Sequence, residues 1–534
     1  MLSIKRYIPH LAVTGIAIAI TGCSVVSYQP AWEADQEYKI TILHTNDHHG
    51  RFWENRNGEY GMAARKTLID NIREEVALDG GASLLLSGGD INTGVPESDL
   101  QNAEPDFKGM NMIQYDAMAL GNHEFDNSRD VLMQQRDWAG FPFLSANILV
   151  KETGEPLFDA YKIFDINNLK IAVVGFTTDD TIKIGNPEYL KDLSILPPVE
   201  IAKDLIPQLN KQADLVIAAT HMGHYADGNY GGNAPGDVTL ARTIPGIDVI
   251  VGGHSQNPLF EPDVQSGTLI LQANEWGKYV GRLDLVIKNG EIQSSEYRLI
   301  PVNLKKKVKQ ADGSSKRVFI ESEIAKDPKM LALLTPFQEK GQKELLVEVG
   351  AIDSLFIGDR AVVRNKETNL GNLISTAMQE KVNADIGIMN SGGIRDNIEA
   401  GVVTYKTILT VQPFGNTVSY VDFNTQELTD YLSAVGSKKA GSGSFAQFSS
   451  VSFTLKDGIA TNIKVSGKSL NVAKTYRIAL NNYVATGGDG YPKITDHANY
   501  VNSGYVDADV LVEYFQQHDV VKGADFAPSG NVVR

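Results

Sequence analysis

Five times along the chain, a run of apolar residues ends abruptly in a loop of glycines and of Asp, His, Asn or Gln. Ile42-Leu43-His44 runs into Thr45-Asn46-Asp47-His48-His49-Gly50, Leu84-Leu85-Leu86 into Ser87-Gly88-Gly89-Asp90, and Ala117-Met118-Ala119-Leu120 into Gly121-Asn122-His123-Glu124-Phe125-Asp126. The fourth is Val216-Ile217-Ala218-Ala219 before Thr220-His221-Met222-Gly223-His224, and the fifth Val249-Ile250-Val251 before Gly252-Gly253-His254-Ser255-Gln256. Short apolar runs bounded in this way read as strands buried on both faces. Open α/β sheets gather ligands beyond the carboxyl ends of their strands, so the repetition predicts five loops around one crevice, where glycine allows backbone and ligand to approach closely.

One Asp or His at a strand end is more often a turn residue than a ligand. The set carries the argument, because seven of the ten histidines fall inside these clusters. Carboxylate, imidazole and amide donors without a thiolate suit a pair of Zn, Mn, Co or Mg ions rather than a structural cysteine-zinc site.

The 534 residues exceed one ordinary core and predict two domains. Strand and helix patterns alternate over 38–327, a linking helix is expected over 328–349 with a kink at Pro336, and a second α/β region fills 350–534. Lys305, Lys306, Lys307, Lys309, Lys316 and Arg317 bracket Ala311-Asp312-Gly313 and read as a solvated hairpin. A net charge of −16 argues against a nucleic acid polymer as partner, since such binding needs phosphate neutralisation. No protein partner is predicted.

At the N-terminus, Lys5 and Arg6 precede an apolar stretch over 11–20 that is too short to span a bilayer. Ile20-Thr21-Gly22-Cys23 resembles a bacterial lipobox. Residues 1–22 are then a signal peptide, and 23–37 a lipidated Cys23 with its tether; the plainer reading is a signal peptide with a chance cysteine. Cys23 is the sole cysteine, so no intramolecular disulfide can form. Ser24 resembles the non-acidic residue of outer-membrane sorting, which implies an outer-membrane lipoprotein facing periplasm or cell surface, with the lipid as its only membrane contact.

The order Asp-x-His, Gly-Asp, Gly-Asn-His-Glu, His, Gly-His-x-Gln resembles the calcineurin-like metallophosphoesterases. The fuller strings resemble the bacterial secreted 5′-nucleotidase/UDP-sugar hydrolase family over nearly the whole mature chain. That resemblance implies an α/β protein with an N-terminal four-layer αββα metallophosphoesterase domain, a linking helix and a smaller α/β nucleotide-binding domain. It implies two divalent ions, one on Asp47, His49 and Gln256, the other on Asn122, His221 and His254, with Asp90 bridging. His44 and His48 match no ligand position, and His224 stays open. Two such ions lower the pKa of a water and clamp attacking and leaving oxygens. His123 matches the catalytic histidine and Asp126 the group that orients it. Phosphate monoester hydrolysis demands up to ~10²¹-fold acceleration, whereas one placed acid or base gives ~10²–10⁴, so the ions must carry most of the effect.

In the second region Arg360, Arg364 and Arg395 could hold phosphate or carboxylate, or lie on an ordinary surface. Gln412-Pro413-Phe414-Gly415-Asn416 and Tyr483-Val484-Ala485-Thr486-Gly487-Gly488-Asp489 place aromatics beside glycines. The resemblance makes Phe414 and Tyr483 the two faces of a base sandwich, with Asn416, Gly443 and Asp489 on base or ribose and the arginines on phosphate. Relatives commonly carry Phe where Tyr483 stands. Stacking contributes about 1–3 kcal/mol per base and tolerates many bases. A domain rotation joining clamp and metals is also implied. The expected function is a 5′-nucleotidase with UDP-sugar diphosphatase activity. The alternatives are a cyclic-nucleotide phosphodiesterase and a lipoprotein that binds nucleotides without chemistry, the latter disfavoured by the complete ligand set with His123 and Asp126.

Overall fold

The computed structural model describes residues 30–226, 235–310 and 314–533. The expected signal peptide over 1–22, Cys23 and Ala311-Asp312-Gly313 lie outside the described residues. The hairpin arms Lys305–Lys309 and Ser315–Phe319 pair antiparallel, as their charge pattern suggests.

Two six-stranded sheets form the first domain. One has the order Glu291–Pro301, Tyr279–Lys288, Glu37–Thr45, Ala82–Ser87, Ala117–Ala119, Phe143–Leu144; the other Asp263–Gln265, Thr268–Leu271, Val249–Val251, Leu215–His221, Leu169–Thr177, Tyr161–Ile166. The four strands that close the first list are parallel, as are the middle four of the second. Side chains of a strand alternate between its faces, and both faces here are apolar. Ile40, Ile42, Leu84 and Leu86 meet Ile171, Val173, Ile217 and Val249 between the sheets. Leu43 and Leu85 point to the opposite side, into helices Met62–Leu78, Glu104–Ile113 and Arg129–Trp138. Ala172, Val216 and Ile250 face helices Pro198–Leu209 and Asp237–Thr243. Helix, sheet, sheet and helix thus stack in four layers.

The linking helix runs Pro328–Leu345, capped by Asp327, whose Oδ1 accepts from Met330 N at 2.7 Å. Met330 and Leu334 bury it in the helical layer of the first domain. It ends four residues before the expected 349, because Glu348–Ile352 pairs as a strand with Gly401–Thr404 and sends Val349 and Ile352 into the second core. The junction is Leu346-Val347, each 59% exposed.

The second domain is a five-stranded mixed sheet in the order Ala446–Ser449, Ile386–Asn390, Tyr476–Asn481, Thr417–Phe423, Tyr500–Val506. Helices Asn369–Lys381, Tyr405–Val411 and Asp507–Gln516 cover one face, and helix Thr425–Gly436 with a small four-stranded sheet covers the other. Among the described residues, the two domains meet outside the linking helix at Pro96–Asp99 against Tyr405–Val411 and at Thr181–Ile184 against the Gly488–Gly490 turn, among other places. Among the described residues, no helix is long and apolar enough to cross a membrane.

Candidate metal centre and the pocket facing it

The five loops do converge. Asp47 N donates to Gly89 O at 2.9 Å and His49 N to Asp90 O at 3.0 Å, so the first two loops prolong the pairing of their strands. The second sheet reaches them through glycines: a Cβ on Gly253 would lie 2.5 Å from Gly88 O, a contact no side-chain-bearing residue could make. His254 N then donates to Asp47 Oδ2 at 3.0 Å. Asp47, His49, Asp90, His254 and Gln256 all have positive φ, between 50° and 74°. Left-handed backbone at such residues costs about 1–3 kcal/mol each, comparable with the ~1.5–3 kcal/mol from burying one aliphatic side chain. The two stacked sheets hold this strain where the side chains of the expected ligands converge.

All seven expected ligands are brought together. His49 Nε2 lies 3.9 Å from Asp47 Oδ1, 3.8 Å from Asp90 Oδ2 and 3.1 Å from Gln256 Nε2. His221 Nε2 lies 3.0 Å from Asp90 Oδ2, and His254 Nδ1 lies 2.9 Å from Asn122 Oδ1. Outer hydrogen bonds assign the tautomers. His49 Nδ1 donates to the carbonyls of Asn92 (3.0 Å) and Thr93 (2.9 Å), and His221 Nδ1 to Gly88 O (2.6 Å), which leaves each Nε2 lone pair for the centre. Burial lowers His49 and His254 to about 3, keeping both imidazoles neutral. Burial also raises Asp47 to about 7. Against its own burial, His221 is raised to about 10 by the Asp90 carboxylate, which is itself held well below its usual range by His221.

These residues fit a pair of cations. Asp47 Oδ1 is buried without a hydrogen-bond partner among the described residues, and an orphaned buried acceptor is costly unless something fills its place. Asp90 with His221 and His254, and Asp90 with His49 and His123, form two groups whose donor atoms lie within 4.8 Å of one another. Asp90 belongs to both, as a bridging carboxylate must.

His123 differs from its neighbours. Its Nδ1 lies 2.6 Å from Asp126 Oδ2, and although burial alone would lower it, Asp126 and then Asp90 raise its pKa. Its backbone N donates to Asp90 Oδ1 at 2.9 Å. One residue on, Glu124 has a role that the sequence alone does not announce. Its buried carboxylate accepts from the backbone of Asp90 (3.0 Å), Ile91 (2.8 Å), Asn92 (3.2 Å) and Gly121 (2.6 Å), tying the second loop to the third. A carboxylate inside an otherwise apolar and Gly-rich strand end was the available signal. His48 is structural: Nε2 lies 2.8 Å from Asp106 Oδ1 and Nδ1 3.2 Å from Arg65 Nη2. His44 stacks on Tyr297 at 5.9 Å, and His224 pairs with Asp263 at 2.8 Å.

Across the cleft, the second domain presents its own residues. The Phe414 ring lies parallel to His123, with 6.1 Å between centroids and 11° between planes, and Arg395 sits over the same ring at 5.4 Å. The three arginines divide. Arg395 lies close enough to His49 and His123, and Arg360 to His254, to oppose protonation of those imidazoles, while Arg364 acts on Asp489. Asp489 Oδ2 accepts from Asn390 Nδ2 at 2.8 Å and its Oδ1 from the Tyr483 hydroxyl at 3.1 Å. That hydroxyl, absent from a phenylalanine, therefore fixes the carboxylate beside the aromatic face. Gly443 O accepts from Gly392 N at 2.8 Å, and a Cβ at Gly443 would lie 3.2 Å from Gly392 Cα. Asn416 is buried, its carbonyl accepting from Asp507 N at 2.8 Å. Asn390, which closes a strand before Ser391-Gly392-Gly393, went unnoticed in the sequence.

The calcineurin-like phosphoesterase family matches residues 40–258, and the 5′-nucleotidase C-terminal domain matches residues 348–496. A 5′-nucleotidase of Vibrio cholerae is 55% identical over 97% of each chain. The protein UshA of Escherichia coli is 52% identical over 97% of this chain and 98% of its own. Among solved structures, a 5′-nucleotidase precursor from Thermus thermophilus has 27% identity and a TM-score of 0.75, covering 93% of this chain and 99% of that one.

Proposed function

The chain belongs to the 5′-nucleotidase family, a calcineurin-like phosphoesterase domain followed by a 5′-nucleotidase C-terminal domain, and on that premise we propose that it hydrolyses nucleoside 5′-phosphates to nucleoside and phosphate, with UDP-sugar diphosphatase activity alongside. The observation that carries this reading is Phe414 stacked on His123. It joins an aromatic fit for a base to the centre fit for a phosphate.

Family membership implies divalent metal ions. Asp47, His49 and Gln256 would hold one and Asn122, His221 and His254 the other, with Asp90 shared; Zn, Mn, Co and Mg all suit these donors. Bound there, the pair supplies Lewis-acid activation of water and neutralises phosphoryl charge. The remaining work falls to the protein. Asp126 fixes the His123 imidazole through Nδ1, leaving Nε2 to donate to a phosphoryl oxygen or to the departing 5′-oxygen. Arg395 and Arg360 add positive charge on the side facing the second domain, where a planar guanidinium matches phosphate oxygens. Phe414 and Tyr483 would take the base, and Asp489, held by Tyr483 and Asn390, would accept from ribose hydroxyls. Asn416 and Gly443 complete the base and ribose contacts. Ligand imidazoles and carboxylates must be deprotonated to bind metal, so His221, whose pKa Asp90 raises, would give up a proton where an ion is held.

Phosphate release from AMP should stop on chelation and return when one of the four divalent ions is added back. Turnover indifferent to chelation would overturn the dinuclear reading. Faster cleavage of a cyclic nucleotide than of AMP would favour the phosphodiesterase alternative.

Export and acylation at Cys23 follow from the lipobox-like string, with the protein on the outer membrane facing periplasm or cell surface. Palmitate labelling of the expressed chain should be lost in Cys23→Ser; a labelled variant would refute the anchor.

A further inference from the structure

Glu97 occupies a place that neither the metal centre nor the base pocket explains. Its side chain is 1% exposed, pressed under the linking helix so closely that a Cβ on Gly341 would lie 2.7 Å from its Cγ. Gln338 Nε2 of that helix lies 3.5 Å from Oε1. The neighbouring Gln101 Nε2 spans Glu97 O (2.6 Å) and Phe337 O (3.1 Å), fixing the segment to the helix. Oε2 accepts no hydrogen bond among the described residues. The cation that compensates this buried carboxylate comes from the other domain: Lys406 Nζ, on helix Tyr405–Val411, is bonded to Oε1. A lysine in the first turn opposes the dipole of its own helix, so its placement is explained by the carboxylate it reaches.

We infer that the Glu97–Lys406 ion pair is an interdomain latch that positions the base clamp over the metal centre. Each partner is short of the site by only a few residues. Glu97 follows the loop whose Asn92 and Thr93 carbonyls orient His49; Lys406 opens the helix that runs into Gln412-Pro413-Phe414, the segment seated on His123. Closing the pair therefore fixes the distance between metal loop and clamp. Rotating the domains apart strands a buried carboxylate without its cation, a state that costs several times what an exposed pair contributes. Glu97 and Lys406 are positioning residues, since neither touches the reacting atoms.

The catalytic part of this inference rests on the nucleotidase reading, so the test carries a readout independent of turnover. Spin labels on the Arg129–Trp138 and Thr425–Gly436 helices report the interdomain distance in the metal-loaded full chain. Lys406→Met should shift the distribution towards longer distances, and Lys406→Arg should restore it. The same Lys406→Met change should lower kcat/KM for AMP roughly tenfold at unchanged metal content, with a lower melting temperature because buried Glu97 is left without its cation. Combining it with Glu97→Gln should add little further loss, because either change removes the same pair. An unchanged distance distribution in Lys406→Met, or fully additive losses in the double variant, would overturn the latch. If wild-type protein fails to cleave AMP while the distance still shifts, the latch stands and the nucleotidase reading falls. Should Glu97→Gln not fold, Lys406→Met alone decides, its side chain being 36% exposed.

Discussion

Replacing His123 by alanine is expected to leave the metals bound and to lower kcat by ~10²–10⁴-fold, the range of one positioned acid or base. The expectation comes from what each nitrogen of the ring does. Nδ1 is engaged by Asp126 at 2.6 Å, so the ring is oriented as a donor through Nε2, unlike His49 and His221, whose Nδ1 atoms are spent on backbone carbonyls and whose Nε2 lone pairs face Asp90. The geometry also contains the rival reading, because His123 shares a donor cluster with His49 and Asp90. Metal analysis beside steady-state kinetics separates them. Full occupancy with a collapsed kcat supports the acid role; a metal content that falls with the substitution makes His123 a ligand; unchanged turnover removes it from the chemistry altogether.

Much of this site was legible because its parts are local. Each proposed ligand sits within a few residues of the strand end that presents it, so apolar runs and polar punctuation disclose the five loops. The four layers, which the family resemblance implies, agree with the same runs, since Ile217 and Val216 face opposite sides of their sheet and both are apolar. What escaped the sequence depends on contacts between distant segments. Glu124 gains its meaning from the backbone it ties together some thirty residues away. The left-handed conformation of five of the proposed ligand residues is imposed by the packing of two sheets and has no residue-type signature at His49 or Gln256. The end of the linking helix is not legible in the sequence, because Val349 reads equally well in either element until Gly401–Thr404 supplies the partner strand. Most hidden was Lys406, an ordinary surface residue in sequence that proves to be paired across 309 positions.

Asp90→Ala should be the most damaging single change, costing both metals and more than ~10⁴-fold in turnover, beyond what one acid or base supplies. Three separate dependencies meet at this carboxylate. It belongs to both donor clusters, so no ion can keep its full set without it. Its Oδ1 accepts the backbone N–H of His123 at 2.9 Å, so the loop carrying the acid loses an anchor as well. Its Oδ2 also lies 3.0 Å from His221 Nε2, so the substitution removes the carboxylate on which that buried imidazole closes, although Gly88 O still holds its Nδ1. Asp90→Asn distinguishes these contributions. The amide oxygen can still accept from His123 N and preserve the loop, while the bridging charge is gone. Metal content near zero with an unchanged fold by circular dichroism would show that charge, rather than loop geometry, assembles the centre. If Asp90→Asn instead keeps both metals and most of its turnover, the two ions do not share this carboxylate and the dinuclear assignment fails.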